Sequence, residues 1–279
     1  MSVRHTDGRF EGEQAVQLYW QAWLPAADAR GVLVIAHGSA EHGGRYAEVA
    51  ERLADEGIAT YVMDQRGHGK SEGQRANVGR MSYVVADLGR MAKLARERHP
   101  RTPLFVLGHS LGSVIALEYA VANGQELRGL VLSGAGLDIS VVSEGQYRVA
   151  QLLSKLAPNL GLLKLDSSAV SRDPEVVRAY EDDPLVYSGK LPVRTLAEGV
   201  ASSRRLHGEL DRLRMPLLLI HGGADSLIAP NGSQVVYDRA SSEDKTLKIY
   251  DGMYHETLND PDRDQVIGDL VSWIVERTA

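Results

Sequence analysis

The chain has 279 residues, 43% hydrophobic and 24% charged, which is enough to bury a large core and suits one α/β domain with an insertion. A net charge of −6 with no basic block excludes nucleic acid as the main partner and simple electrostatic adhesion to anionic lipid. With no cysteine, disulfides and thiolate metal sites are excluded, which fits a reducing cytoplasmic compartment.

Residues 1–10 are polar and charged and lack the apolar centre of a signal peptide, so this end reads as a frayed terminus containing His5. No run approaches the roughly 20 apolar residues of a membrane-spanning helix. From there short apolar runs alternate with helix-like segments, the pattern of a parallel sheet covered by helices. Residues 31–37 read as a buried strand, and 45–57 as a helix with Tyr46, Val49, Ala50 and Leu53 on one face and a closing glycine. Strand 58–63 leads into a glycine-rich loop, 64–71, and then a helix over about 81–99. Strand 104–107, a helix over about 112–122 and strand 127–133 follow. Strands at 216–220 and 245–250 and a helix over about 262–277 close the chain.

The rhythm breaks once. About eighty residues separate Ser133 from Met215, far more than a crossover helix needs. Val149, Leu152, Leu153 and Leu156 fall at helical spacing there, followed by a leucine-rich stretch, 160–165. This is expected to be a lid over the carboxyl ends of the strands, where open α/β sheets bind ligands. The expected domains are a core of residues 1–135 and 214–279 and a cap of residues 136–213.

Chemistry enters at Gly108-His-Ser-Leu-Gly112, a Gly-x-Ser-x-Gly pattern. The pattern alone is common. Here a β-rich run precedes it and a helix-like run follows, the strand–turn–helix context in which Ser110 becomes an exposed nucleophile. Serine needs a base. His37, His68 and His221 sit in glycine-flanked turns where imidazole commonly bonds to backbone, and His99 and His207 lie on or at the ends of helices. His255 follows the last strand and comes after both the serine and a candidate acid, the chain order this arrangement requires. His221 and His109 remain alternative bases. Asp225, five residues past Ile220, is the expected acid that orients the imidazole, with Asp251 as its rival. The developing oxyanion would be met by the backbone N–H of Leu111, directly after the nucleophile, and of Ser39, in the loop after the first long strand. No metal-ligand spacing and no nucleotide-binding glycine signature is present, so no metal and no cofactor is expected.

These residues resemble the monoacylglycerol lipase family of α/β-hydrolases. The resemblance shows at 37–42 (His-Gly-Ser-Ala-Glu-His), at Gly44-Arg-Tyr46, across the 64–71 loop and in the elbow. It continues through Ser171-Arg-Asp-Pro, Tyr180, 183–185, 244–250 and Tyr254-His255. It implies an α/β-hydrolase fold, a mostly parallel central sheet flanked by helices with an inserted helical cap. It implies hydrolysis of monoacylglycerols to fatty acid and glycerol, with Glu41, Arg45 and Tyr180 lining a glycerol pocket. Two departures stand out: Ala40 replaces the second glycine of the His-Gly-x-Gly loop, and Glu256 and Thr257 follow His255 where some relatives carry a second histidine. The alternative enzymes are a lysophospholipase or general carboxylesterase. A non-catalytic lipid-binding protein on the same fold is the alternative of another class. The leucines of 160–165 could equally pack the cap onto the core or give a cytoplasmic protein transient, peripheral contact with a membrane.

Overall fold

The computed structural model describes residues 3–137 and 142–278. Its frame is an eight-stranded sheet. The strands are β1 (Arg4–Glu11), β2 (Gln17–Leu24), β3 (Gly31–Ala36), β4 (Ile58–Met63), β5 (Leu104–His109), β6 (Gly129–Ser133), β9 (Leu217–Gly222) and β10 (Lys245–Tyr250). The order is β1-β2-β4-β3-β5-β6-β9-β10, parallel from β4 to β10, with β2 antiparallel to both neighbours. β3, β4, β5, β6 and β9 read as largely apolar runs because they are covered on both faces, whereas β10, at the sheet edge, carries Lys245 and Lys248. In β3, Val32, Val34 and Ala36 join one core cluster while Leu33 and Ile35 join the other.

Helices supply the two covers. α1 (Ala47–Asp55) and α8 (Arg263–Glu276) pack Val49, Leu53, Val266, Leu270 and Ile274 onto one face. α2 (Met81–Arg98), α3 (Leu111–Asn123) and α7 (Asn231–Arg239) cover the other with Val84, Leu88, Met91, Ile115, Leu117 and Val236. Each fully buried Leu, Val or Ile contributes about 1.5–3 kcal/mol relative to exposure.

The amino-terminal segment is strand, not a frayed end. Gln17–Leu24 carries Tyr19, Trp20 and Trp23, residues that suit a pleated, buried surface. Arg4–Glu11 pairs with it as an exposed edge whose charges discourage pairing with another chain. His5 is held there by a 3.2 Å hydrogen bond to Gln21 and by the ring of Trp23.

Between β6 and β9 the chain builds α4 (Glu144–Leu156), β7 (Gly161–Lys164), α5 (Pro174–Asp182), β8 (Lys190–Pro192) and α6 (Val193–Leu206), with β7 and β8 forming a small antiparallel pair. α4 starts with a capping box between Ser143 and Gln146, and Asp173 caps α5 with Pro174 in the first turn.

The strand order reverses around β3: α1 carries the chain to one side and α2 carries it back to the other. Loops after β3 and β5 therefore diverge from adjacent strand ends, with Ala36 in register with Gly108. Such a switch point is where open α/β sheets hold ligands.

Candidate active site

Ser110 sits where β5 turns into α3, at φ 53°, ψ −120°, a conformation costly for a residue with a side chain. Two glycines make the turn possible. A Cβ on Gly108 would stand 2.3 Å from the carbonyl oxygen of Gly112, and one on Gly112 would stand 2.0 Å from that of Ala36. The strained residue is pinned on both sides: its N–H donates to the Ser133 carbonyl at 2.9 Å, and its own carbonyl accepts from the Ser113 hydroxyl at 2.6 Å.

Ser110 and His255 both line a cavity of about 230 Å³ together with Ser39, Leu111 and an apolar wall that includes Val114, Leu165, Leu191, Leu196, Val200 and Leu227. His255 Nδ1 donates to Asp225 Oδ2 at 2.7 Å. Asp225 is buried, and burial alone would raise its pKa. Hydrogen bonds from His221 and His255, the charge of His255 and the Ile228 N–H outweigh this and hold the carboxyl well below the usual range. Its second oxygen accepts the N–H groups of Leu227 and Ile228, both at 2.9 Å.

The rival residues have other partners. Asp251 lies exposed in the turn after β10. His221 faces Asp225 Oδ2 at 3.1 Å and the Ile228 carbonyl at 2.9 Å through Nε2, so that nitrogen carries a proton, and Nδ1 accepts from Ser233 at 2.7 Å. It braces the same carboxylate oxygen that His255 holds, a role that its glycine-flanked position does not reveal. His109 meets Ser133 and lies 4.8 Å, ring to ring, from His255. Burial and the neighbouring His255 charge pull its pKa down to about 3, so it stays neutral.

In the loop after β3, His37 Nδ1 donates to the Gly38 carbonyl at 2.8 Å, while its Nε2 accepts the Gln65 N–H at 2.9 Å. A trans peptide points its C=O and N–H in opposite directions. Tying down the Gly38 carbonyl therefore turns the Ser39 N–H the other way, and Ser39 lines the cavity. The Leu111 N–H belongs to the first turn of α3, where helical N–H groups lack intrahelical partners and the dipole favours negative charge. Among the described residues no group of three His, Asp or Glu side chains is placed to hold a metal ion.

Glu41, Arg45 and Tyr180 are brought together, but none of them is among the side chains lining the cavity. Glu41 Oε1 accepts from the Gly38 N–H at 2.6 Å and the Tyr46 hydroxyl at 2.9 Å. Arg45 bonds Glu41 at 3.2 Å and grips both oxygens of Glu256 at 2.5 and 2.6 Å, with its guanidinium 4.7 Å from the ring centre of Tyr180. Burial raises the Glu41 pKa, and the negative Glu256 adds to this against Arg45. For Glu256 the Arg45 charge and hydrogen bonds overcome burial and lower it. Arg45 thus joins the loop carrying Ser39 to the loop carrying His255. Glu256, directly after His255, is the residue that completes this bridge.

The segment between β6 and β9 reaches the histidine loop too. The Glu256 N–H donates to the Val170 carbonyl at 2.8 Å, and the Ser171 hydroxyl to the Asn259 carbonyl at 3.0 Å. Arg172 pairs with Asp260 and Asp262. The Ser-Arg-Asp-Pro motif therefore serves as a docking site and a helix start.

The hydrolase family described as serine aminopeptidase, S33, matches residues 27–262. Over 276 residues the chain is 41% identical to a monoacylglycerol lipase of Mycolicibacterium smegmatis, covering 99% of both chains. It is 33% identical to the human monoglyceride lipase over 94% of this chain and 88% of that one. The crystal structure of the Paleococcus ferrophilus monoacylglycerol lipase superposes with a TM-score of 0.81 at 27% identity, covering 99% of this chain and all of the other. The chain belongs to the monoacylglycerol lipase family of α/β-hydrolases.

Proposed function

We propose that this protein hydrolyses the ester bond of monoacylglycerols to fatty acid and glycerol. The observation that carries the reading is a serine at a strained strand–helix turn, sharing an apolar cavity with a histidine held by a buried carboxylate. Relatives across nearly the full chain bear the name of this activity.

His255 takes the Ser110 proton as Oγ attacks the ester carbonyl, and Asp225 stabilises the imidazolium that forms. The negative oxygen of the tetrahedral intermediate rests on the N–H groups of Ser39 and Leu111. His255 returns the proton to the departing glycerol oxygen, leaving an acyl group on Ser110. Water, deprotonated by His255, then adds to that acyl carbonyl; the bond to Ser110 Oγ breaks, Oγ takes the proton back from His255, and the fatty acid leaves. The apolar wall takes the acyl chain. Glu41, Arg45 and Tyr180 act behind the two loops, holding their geometry.

Residues 136–213 form the cap of this site, and residues 1–135 and 214–279 its catalytic core. Among the described residues no helix is long and apolar enough to cross a membrane. The cap still presents Val149, Leu152 and Leu156 on one face of α4, and Leu160, Leu162 and Leu163 beside it, all about half exposed or more. An apolar patch of this kind suits transient seating on a lipid surface that holds the substrate.

The test runs wild type and Ser110→Ala on a long-chain monoacylglycerol, lysophosphatidylcholine and short p-nitrophenyl esters, with fluorophosphonate labelling in parallel. Labelling and glycerol release confined to wild type are expected. Release from lysophosphatidylcholine alone would redirect the assignment, and absence of labelling would revive a binding role. For the membrane contact, Leu162→Asp with Leu163→Asp is expected to reduce liposome co-sedimentation, and unchanged sedimentation would remove the idea.

A further inference from the structure

Ala40 holds φ at 69° and is buried. For an L-residue this left-handed conformation is costly, and part of what offsets it lies in the cap. The Tyr187 N–H donates to the Ala40 carbonyl at 2.8 Å. Two residues on, His42 Nδ1 accepts the Gly44 N–H at 3.1 Å, so its Nε2 carries the proton that it gives to Asp183 Oδ2 at 2.8 Å. Asp183 is itself fixed, because its Oδ1 accepts the Leu185 N–H at 2.7 Å. The Ala40 side chain packs in a small cluster with Leu191 and Tyr187 of the cap. The core thus holds Gly38 through His37 and Glu41, while the cap holds positions 40 and 42. Ser39 hangs between these two anchorages.

We propose that Asp183, acting through His42, and the Tyr187 peptide N–H, acting through Ala40, are positioning groups for the oxyanion hole, so that seating of the cap sets the aim of the Ser39 N–H. This rests on the ester-hydrolase reading above. It makes the cap a part of the catalytic frame as well as a wall for the acyl chain.

The experiment compares Asp183→Ala, His42→Ala and the double variant on p-nitrophenyl butyrate, a short soluble ester that makes little use of an acyl wall. Affinity for a trifluoromethyl ketone, whose tetrahedral adduct places an oxyanion in the hole, is measured alongside. Each single variant is expected to lose about tenfold in kcat with KM within about twofold, less than outright removal of an oxyanion donor costs. The ketone should weaken by a similar factor. The double variant should lose no more than the worse single one, because both act through one contact. If Asp183→Ala does not fold, Asp183→Asn, of the same size but with a single acceptor oxygen where Asp183 uses two, is read by the same criteria. Unchanged kcat and ketone affinity would overturn the proposal and leave the cap as a wall. A wild type without esterase activity would instead overturn the function reading, and this inference with it.

Discussion

Ser110 and Ala40 both sit in backbone conformations that side chains resist, and their surroundings show why each persists. At Ser110 the cost is met by flanking glycines and by bonds to Ser133 and Ser113. At Ala40 three terms compete: glycine would relieve about 1–2 kcal/mol of strain, lose about 0.4–1 kcal/mol through a freer unfolded chain, and forfeit roughly 0.8 kcal/mol of methyl burial. Ala40→Gly should therefore lie within about 1 kcal/mol of wild type in urea unfolding, whereas Ala40→Val, β-branched at positive φ, should be clearly less stable. Asp225→Asn is expected to keep the fold and lose about 10⁴ in kcat, since an amide can stabilise the wrong imidazole tautomer. Steady-state kinetics on any accepted ester checks this. Loss below tenfold would point to His221 or another group as the working partner of His255.

At the scale of elements, one guanidinium spans two loops. Arg45→Met leaves Glu256 buried without its counter-charge, and a broken buried pair costs about 3–5 kcal/mol. Arg45→Met with Glu256→Met should recover part of that stability, because the Glu256 charge is removed with its counter-charge and only Glu41 stays buried without one. Thermal unfolding of the single and double variants measures it. A double variant no more stable than Arg45→Met would show that the bridge does more than neutralise charge. The same scale shows where sequence patterning was sufficient. Strands β3 to β6 were legible because burial on both faces makes each an unbroken apolar run between turn residues. β2 is equally apolar and aromatic, but no element was expected between residues 11 and 30; β1 gives almost no pattern, because an exposed edge strand selects for charge rather than alternation.

For the whole molecule, acid is the telling perturbation. His37, His68 and His109 are each brought down to about 3, chiefly by burial. Their folded values lie below the unfolded value of roughly 6.5. The unfolded chain therefore binds these protons first, and stability is lost as pH falls from about 6.5 towards 3, by about 1.4 kcal/mol per pH unit for each histidine. Asp225, depressed instead, contributes stability that is present above roughly pH 3.9 and is lost only as pH falls below that. Urea titrations should show a slope that rises below about pH 6.5 to three protons or more, His99 adding in the same direction, and His68→Asn should reduce it by about one. A slope unaffected by that change would place the titration elsewhere. Three such groups are enough to use up an ordinary stability of about 5–15 kcal/mol near pH 4.

What the sequence determined by itself was whatever depends on neighbours along the chain: the strand–turn–helix at Ser110, the order of Asp225 and His255 behind it, and the interruption between Ser133 and Met215. Local backbone sterics and hydrophobic periodicity write these into short stretches. Only the tertiary structure decided what depends on residues far apart in sequence. Arg45 reaches Glu256 across 211 positions and His42 reaches Asp183 across 141. Glu41, Arg45 and Tyr180 meet one another from two segments of the chain for the same reason. Burial forces such charged and polar groups to find partners, and which partner is within reach is set by the packing of the sheet, its loops and the cap.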